Sequence, residues 1–324
     1  MPSTQQLHLS FDEILPYIGE YGRFQIIVQF MFCLAGIPLA FPVLIMYFAA
    51  LQPEWQCAPG ASAECPYNGT FTSSDNRRCD MAREAWEYTQ PDDYSIVTHF
   101  DIYCSQEWMI HLTTSIVFIG WIPGAIFLGW LGDRYGRKIV LFQSIAVVLI
   151  VGFLSAFSPN IGVFIVSRFI VGFFIPGSGP QLFVLMSEMV GQKYRAKAGI
   201  SLFLFYTLGN CIMALKAYLV PHWKTLYIIC HAPYIFVLLF WWHIPESVRW
   251  MHARGDVDKA MSTCRNIAKF NKMKIPDQVT LAPLANGEVE KSTLMDLFRT
   301  RKRAIMTWIQ GNLKIILHSL LGFK

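Results

Sequence analysis

Apolar residues in this chain gather into six runs separated by polar joints: Phe24 to Ala50, Met109 to Leu131, Ile139 to Phe157, Ile161 to Met189, Ala198 to Val220 and Thr225 to Ile244. About 20 apolar residues cross a hydrocarbon core of about 30 Å, and backbone groups in lipid must find partners within their own segment. The pattern therefore predicts six transmembrane helices. The first run begins too far into the chain, is too long, and lacks a small-residue cleavage site, so it predicts a span and not a removed signal peptide.

Composition supports this. The chain is 54% hydrophobic and 15% charged, against about 25% charged in soluble domains, more apolar surface than a water-soluble fold can hide. Basic residues sort the joints. Arg134, Arg137 and Lys138 lie between spans two and three, and Lys193, Arg195 and Lys197 between four and five, whereas "SPN" has none and "PHWK" only Lys224. The positive-inside rule puts the basic joints and residues 1–23 in the cytosol. The net charge of +5 is thus accounted for beside the bilayer, and no nucleic-acid partner is implied.

Residues 51–108 form a long polar segment with Cys57, Cys65, Cys79 and Cys104 and the sequon "NGT" at Asn68. Both features fit an oxidising, extracellular, glycosylated face. Four cysteines allow three disulfide pairings, and the sequence does not choose among them. Cys33, Cys211, Cys230 and Cys264 read as free thiols, and no short paired spacing suggests a metal site.

Beyond the sixth span, residues 245–303 turn polar and basic. Trp250, Val257, Met261 and Ile267 recur at helical spacing and predict cytosolic surface helices. A flexible link follows, then an interfacial amphipathic segment with Arg299, Arg301, Lys302 and Arg303. Residues 304–324 read as a truncated seventh-span-like tail.

The first span contains "GIPLAFP" (Gly36 to Pro42) and the fourth "FIPGSGP" (Phe174 to Pro180). Both read Ile-Pro-x-x-x-Pro at similar depth. Six spans built as two inverted three-helix repeats make helices one and four equivalent, and matched Gly/Pro interruptions mark a transporter cavity. Polar groups near these points are candidate substrate contacts: Ser178, Gln181, Tyr206 and Asn210, with helix–helix hydrogen bonding the alternative. Phe41, Tyr47, Phe118 and Trp121 can stack on an organic cation. Lys216, near the outer end of span five, either snorkels to the interface or faces the cavity and favours anionic groups. His231 reads as a packed histidine.

"GWLGDRYGRK" (Gly129 to Lys138) sets Gly129, Asp133, Arg134, Gly136, Arg137 and Lys138 at a tight joint after the second span. Seven-helix receptors carry Asp-Arg-Tyr below their third span, so the position argues against a receptor. Ser178 lacks GxSxG, and there is no Walker loop, so neither an enzyme nor a cofactor is expected.

"GWLGDRYGRK" resembles the GxxxDRxGRK signature of the major facilitator superfamily. "SRFIVGFFIPG", with Arg168, and "SEMVGQKYR", with Glu188 and Arg195, resemble its fourth-helix motifs. "FDEILPYIGEYGRFQ", "SIVTHFDIYC", "PHW", "PESVRW" and "DLFRT" are similar to the organic cation, carnitine and organic anion transporters of solute carrier family 22. The resemblance implies an all-α membrane fold, the N-terminal six-helix bundle of a plasma-membrane transporter moving small organic ions by alternating access. The motif residues would gate it, and Arg168 would be a buried charge with a nearby carbonyl partner. A lone half lacks the opposing cavity wall, so the second expectation is a half that binds and modulates a full-length relative or pairs with a second half.

Overall fold

The computed structural model describes residues 7–61, 64–67, 69–276 and 278–282. Asn68, most of the link, the basic amphipathic segment with Arg299, Arg301, Lys302 and Arg303, and residues 304–324 lie outside the described residues.

The chain opens with β1 (Leu7–Leu9) and α1 (Phe11–Ile18), whose first turn is closed by Ser10 N donating to Glu13 Oε2 at 2.8 Å. The first span is α2 (Arg23–Leu39) plus α3 (Phe41–Ala49). Next come β2 (Trp55–Cys57), β3 (Thr70–Phe71), β4 (Trp86–Tyr88) and α4 (Ile96–His99). Spans two to five are α5 (Trp108–Tyr135), α6 (Arg137–Ser155), α7 (Ile161–Met189) and α8 (Arg195–Leu219). The sixth is α9 (Trp223–His231) with α10 (Tyr234–Leu239), and α11 (Val248–Ala253), α12 (Val257–Phe270) and β5 (Val279–Leu281) follow. Among the described residues, six helical stretches are long and apolar enough to cross a membrane.

Glycines set the packing of the spans. A Cβ on Gly124 of α5 would lie 2.0 Å from the Phe173 carbonyl oxygen, and one on Gly172 of α7 would lie 2.2 Å from that of Val117. Span two thus meets span four backbone to backbone. Span one meets span five in the same way, with a Cβ on Gly209 of α8 falling 2.3 Å from the Ile37 carbonyl oxygen. Exchanging span one with four and two with five turns each pair into the other, the relation that two inverted repeats require.

The two Ile-Pro-x-x-x-Pro stretches differ from the expectation of matched breaks. In span one Ala40 alone separates α2 from α3, and it keeps right-handed helical dihedrals (φ −72°, ψ −30°). Pro42 has no N–H for the Pro38 carbonyl four residues back, and the Tyr234 hydroxyl donates to it instead at 3.0 Å. Span four is one continuous helix through Pro176 and Pro180. Gly172, four residues before Pro176, has no side chain to crowd the turn that the ring displaces.

Two folded layers flank the bundle. Residues 51–108 are not simply a polar loop: β2, β3 and β4 form an antiparallel sheet in the order β3-β2-β4 over buried Trp55, Cys65, Ala85 and Trp86. On the opposite side, α1, α11 and α12 enclose Ile14, Leu15, Ile18, Met261, Cys264 and Ile267. There β1 pairs in parallel with β5, tying the N-terminal segment to the stretch after α12.

Candidate functional site

The basic motif folds around one residue. Asp133 and Arg134 end α5, Arg137 starts α6, and only Gly136 lies between, in the left-handed region (φ 114°) that favours glycine. A Cβ there would also fall 2.3 Å from Glu246 Oε2. Glu246 uses the space: its Oε1 accepts from the backbone N–H groups of Arg137, Lys138 and Ser247, each at 3.0 Å. An acid is favourable at a helix N-terminus, where N–H groups lack partners and the dipole is positive.

Arg137 is the centre of this cluster. Its Nη2 lies 2.8 Å from Asp133 Oδ1, and its Nε lies 3.3 Å from Glu188 Oε1 near the end of α7. Trp250 Nε1 donates to the Asp133 carbonyl at 2.8 Å, which brings in α11. Lys138 Nζ sits 4.4 Å from the Trp241 ring centre and Arg134 5.3 Å from that of Trp130. A Cβ on Gly129, one turn before Asp133 on α5, would meet only open space.

A second cluster on the same face centres on Asp12 of α1. Arg195 Nη2 lies 3.6 Å from Asp12 Oδ1, Arg249 also pairs with Asp12, and Gln192 Nε2 donates to its Oδ2 at 2.9 Å. The sequence patterns single out none of Asp12, Glu246 and Arg249, and they mark Trp250 only as an apolar position of a surface helix. The signal was there: all four sit in the quoted motifs "FDEILPYIGEYGRFQ" and "PESVRW", whose acids and bases adjoin the basic joints.

Arg168 is buried in span four, and its Nη1 donates to the Pro42 carbonyl of span one at 2.9 Å. The candidate substrate contacts divide. Ser178 is wholly buried and returns its hydroxyl to Ile175 O at 2.8 Å, while buried Gln181 donates from Nε2 to Leu128 O of α5 at 3.2 Å. Phe41 is buried as well, beneath Lys216 Nζ at 4.2 Å from its ring centre. These three therefore belong to helix packing in this structure. Within "FIPGSGP" the positions that are not buried are Phe174, Gly179, whose flank is open space, and Pro180, with exposed Phe183 one turn on. Trp121, Tyr206 and Asn210 are half-buried, and Tyr47 and Phe118 are exposed.

Lys216 Nζ also donates to Ile229 O of α9 at 3.2 Å. Ile229 lies four residues before Pro233, so its carbonyl has no helical donor. His231 is buried, with Nδ1 2.8 Å from Tyr227 O.

In the layer built on β2, β3 and β4, Cys57 pairs with Cys65 and Cys79 with Cys104, at Cα separations of 5.7 and 5.6 Å. Arg83 lies 4.2 Å from the Trp86 ring centre and donates from Nη2 to Asp101 Oδ1 at 2.9 Å. Where this layer meets span six, the His99 ring lies 5.4 Å from that of Trp223. Burial, reinforced by the charge of Lys224, holds the His99 pKa below its ordinary value.

A family described as "Sugar (and other) transporter" matches residues 28–312. Solute carrier family 22 member 3 of Mus musculus is 32% identical, covering 90% of this chain and 61% of its own length. Organic cation/carnitine transporter 4 of Arabidopsis thaliana is 34% identical, covering 89% and 54%, and organic anion transporter 3 of Sus scrofa is 30% identical, covering 90% and 59%. The chain thus spans a little over half the length of these relatives. Among solved structures, the proton:xylose symporter XylE bound to 6-bromo-6-deoxy-D-glucose aligns with a TM-score of 0.53 at 14% identity, covering 77% of this chain and 51% of that one. XylE from E. coli in a partially occluded inward-open conformation gives 0.52 at 14%, covering 77% and 57%. These structures share the fold.

Proposed function

Because the chain belongs to the sugar (and other) transporter family, we propose that its six spans form one wall of an alternating-access transporter for small organic ions. The observation that carries this is the Arg137 cluster. One guanidinium joins the end of span two to the end of span four while Glu246 clamps the start of span three, all on one membrane face. The Arg137–Asp133 pair, exposed on its acid, can open at a cost of about 0–1 kcal/mol, while the more buried Arg137–Glu188 pair needs replacement partners as the bundle rocks. The relatives are transporters and not enzymes, and nothing in these observations favours a half that only binds and modulates a relative.

For substrate, we propose an organic cation or a carnitine-like zwitterion. The accessible aromatic residues Trp121, Tyr206, Tyr47 and Phe118 can attract a cation by about 0.5–2 kcal/mol each. The Lys216 ammonium, the one feature that would favour anions, is engaged by Ile229 O and the Phe41 ring. A chimera carrying residues 7–282 of this chain in place of the matching segment of an organic-cation relative should take up labelled tetraethylammonium or carnitine above mock-transfected cells. Surface expression without uptake of either would overturn the substrate reading.

The proposed setting is the plasma membrane with the N-terminus in the cytosol, which puts Asn68 outside. Glycosidase should then shift the mobility of the wild type and leave Asn68→Gln unchanged. An unshifted wild type would contradict that orientation.

A further inference from the structure

The end of α12 forms a basic groove that neither the ion-pair clusters nor the substrate flank uses. We propose that this groove binds the headgroup of an anionic phospholipid in the leaflet next to the start of span one. The choice of the cytosolic leaflet rests on the orientation proposed above.

Geometry places the groove at the bilayer. Asn271, just after α12, accepts from Phe24 N through Oδ1 at 2.8 Å and donates through Nδ2 to Ile18 O at 2.7 Å and Gln25 Oε1 at 2.9 Å. These bonds fix the end of α12 against the first turn of span one, and the Phe270 and Phe24 rings meet edge to face with centres 5.8 Å apart. Gly22 is needed for the approach, since a Cβ there would lie 2.5 Å from the Asn271 side chain.

The chain then folds back. Lys272 adopts left-handed dihedrals (φ 60°), and Met273 N donates to Ala268 O at 2.8 Å. Between α12 and the Lys272–Pro276 segment that follows it lies an open groove of about 630 Å³ lined by Arg265, Lys269, Lys272 and Lys274, with no acidic residue in its lining among the described residues. A helix C-terminus accounts for a cation or two in its last turn. It does not account for Phe270 and Met273 standing exposed beside four of them. Cations that can meet phosphate, next to apolar side chains that can enter the acyl boundary, are what an anionic membrane surface binds.

The test uses the full chain purified in detergent and soluble dioctanoyl phosphatidylinositol 4,5-bisphosphate as the probe, with binding read by thermophoresis. Wild type should bind, and K269Q/K272Q/K274Q should lose at least about tenfold in affinity, given about fivefold for each basic residue at an anionic surface. K269R/K272R/K274R should restore binding, which separates loss of charge from loss of fold. Three results would overturn the proposal: unchanged affinity in the Gln variant, equal binding of dioctanoyl phosphatidylcholine, or equal binding of free inositol trisphosphate, which would make the ligand a soluble phosphate compound. Binding in detergent does not depend on orientation. Labelling of Met273→Cys in intact cells by an impermeant maleimide would fail the orientation alone.

Discussion

Lys216 on span five donates to the carbonyl of Ile229 on span six at 3.2 Å, filling the acceptor that Pro233 leaves without its helical donor. Tyr234 does the same for Pro38 in span one. Both proline breaks are thus satisfied from a neighbouring helix, as buried carbonyls in lipid require. Replacing Lys216 by Leu strands the Ile229 carbonyl and should destabilise the bundle by about 1–3 kcal/mol. A thermal melt of purified protein in detergent reads this, and Lys216→Gln, which keeps a donor, should lose less. Equal melting of Lys216→Leu and wild type would show that the contact contributes nothing.

Gly209 makes a sharper steric prediction. Its missing Cβ would lie 2.3 Å from a backbone oxygen of span one, and backbone cannot rotate aside as a side chain can. Gly209→Val should therefore part spans one and five and cost about 1–3 kcal/mol from overpacking, seen as a broadened and earlier-melting size-exclusion peak. Gly129→Val meets only open space on its flank and serves as the matched control that leaves the melt unchanged.

The layer that holds the two disulfides should respond to acid through His99. Its folded-state pKa lies below the ordinary 6.5 because burial and Lys224 disfavour the imidazolium. The unfolded chain therefore binds the proton more readily, and the stability this group supplies is complete above about pH 6.5 and is lost as pH falls through the folded value. Melting between pH 7.5 and 5.5 should show a decline that His99→Gln reduces. An identical decline in the variant would assign the pH dependence elsewhere.

How much of this was legible in the sequence differs from residue to residue. The spans were, because a run of apolar residues as long as a bilayer is thick has one economical use. The Arg137 joint was, through its motif. The direction of Ser178 and Gln181 was not: in an all-apolar helix, hydropathy does not distinguish a face turned to a neighbour from one turned to a cavity or to lipid. Gly177, whose Cβ would lie 2.1 Å from Ser144 Oγ, draws that side of span four onto span three and buries Ser178 with it. The folded layer of residues 51–108 was hidden for a related reason, since its core rests on few residues, Trp55 and Trp86 foremost, held by long-range pairing and not by local pattern.

The account turns on Arg137. In the chimera described above, uptake of labelled tetraethylammonium, normalised to surface protein, should fall by at least about tenfold when Arg137 becomes Gln, because one substitution releases both Asp133 and Glu188. Uptake by Arg137→Gln at the wild-type rate would contradict the claim that this cluster governs transport.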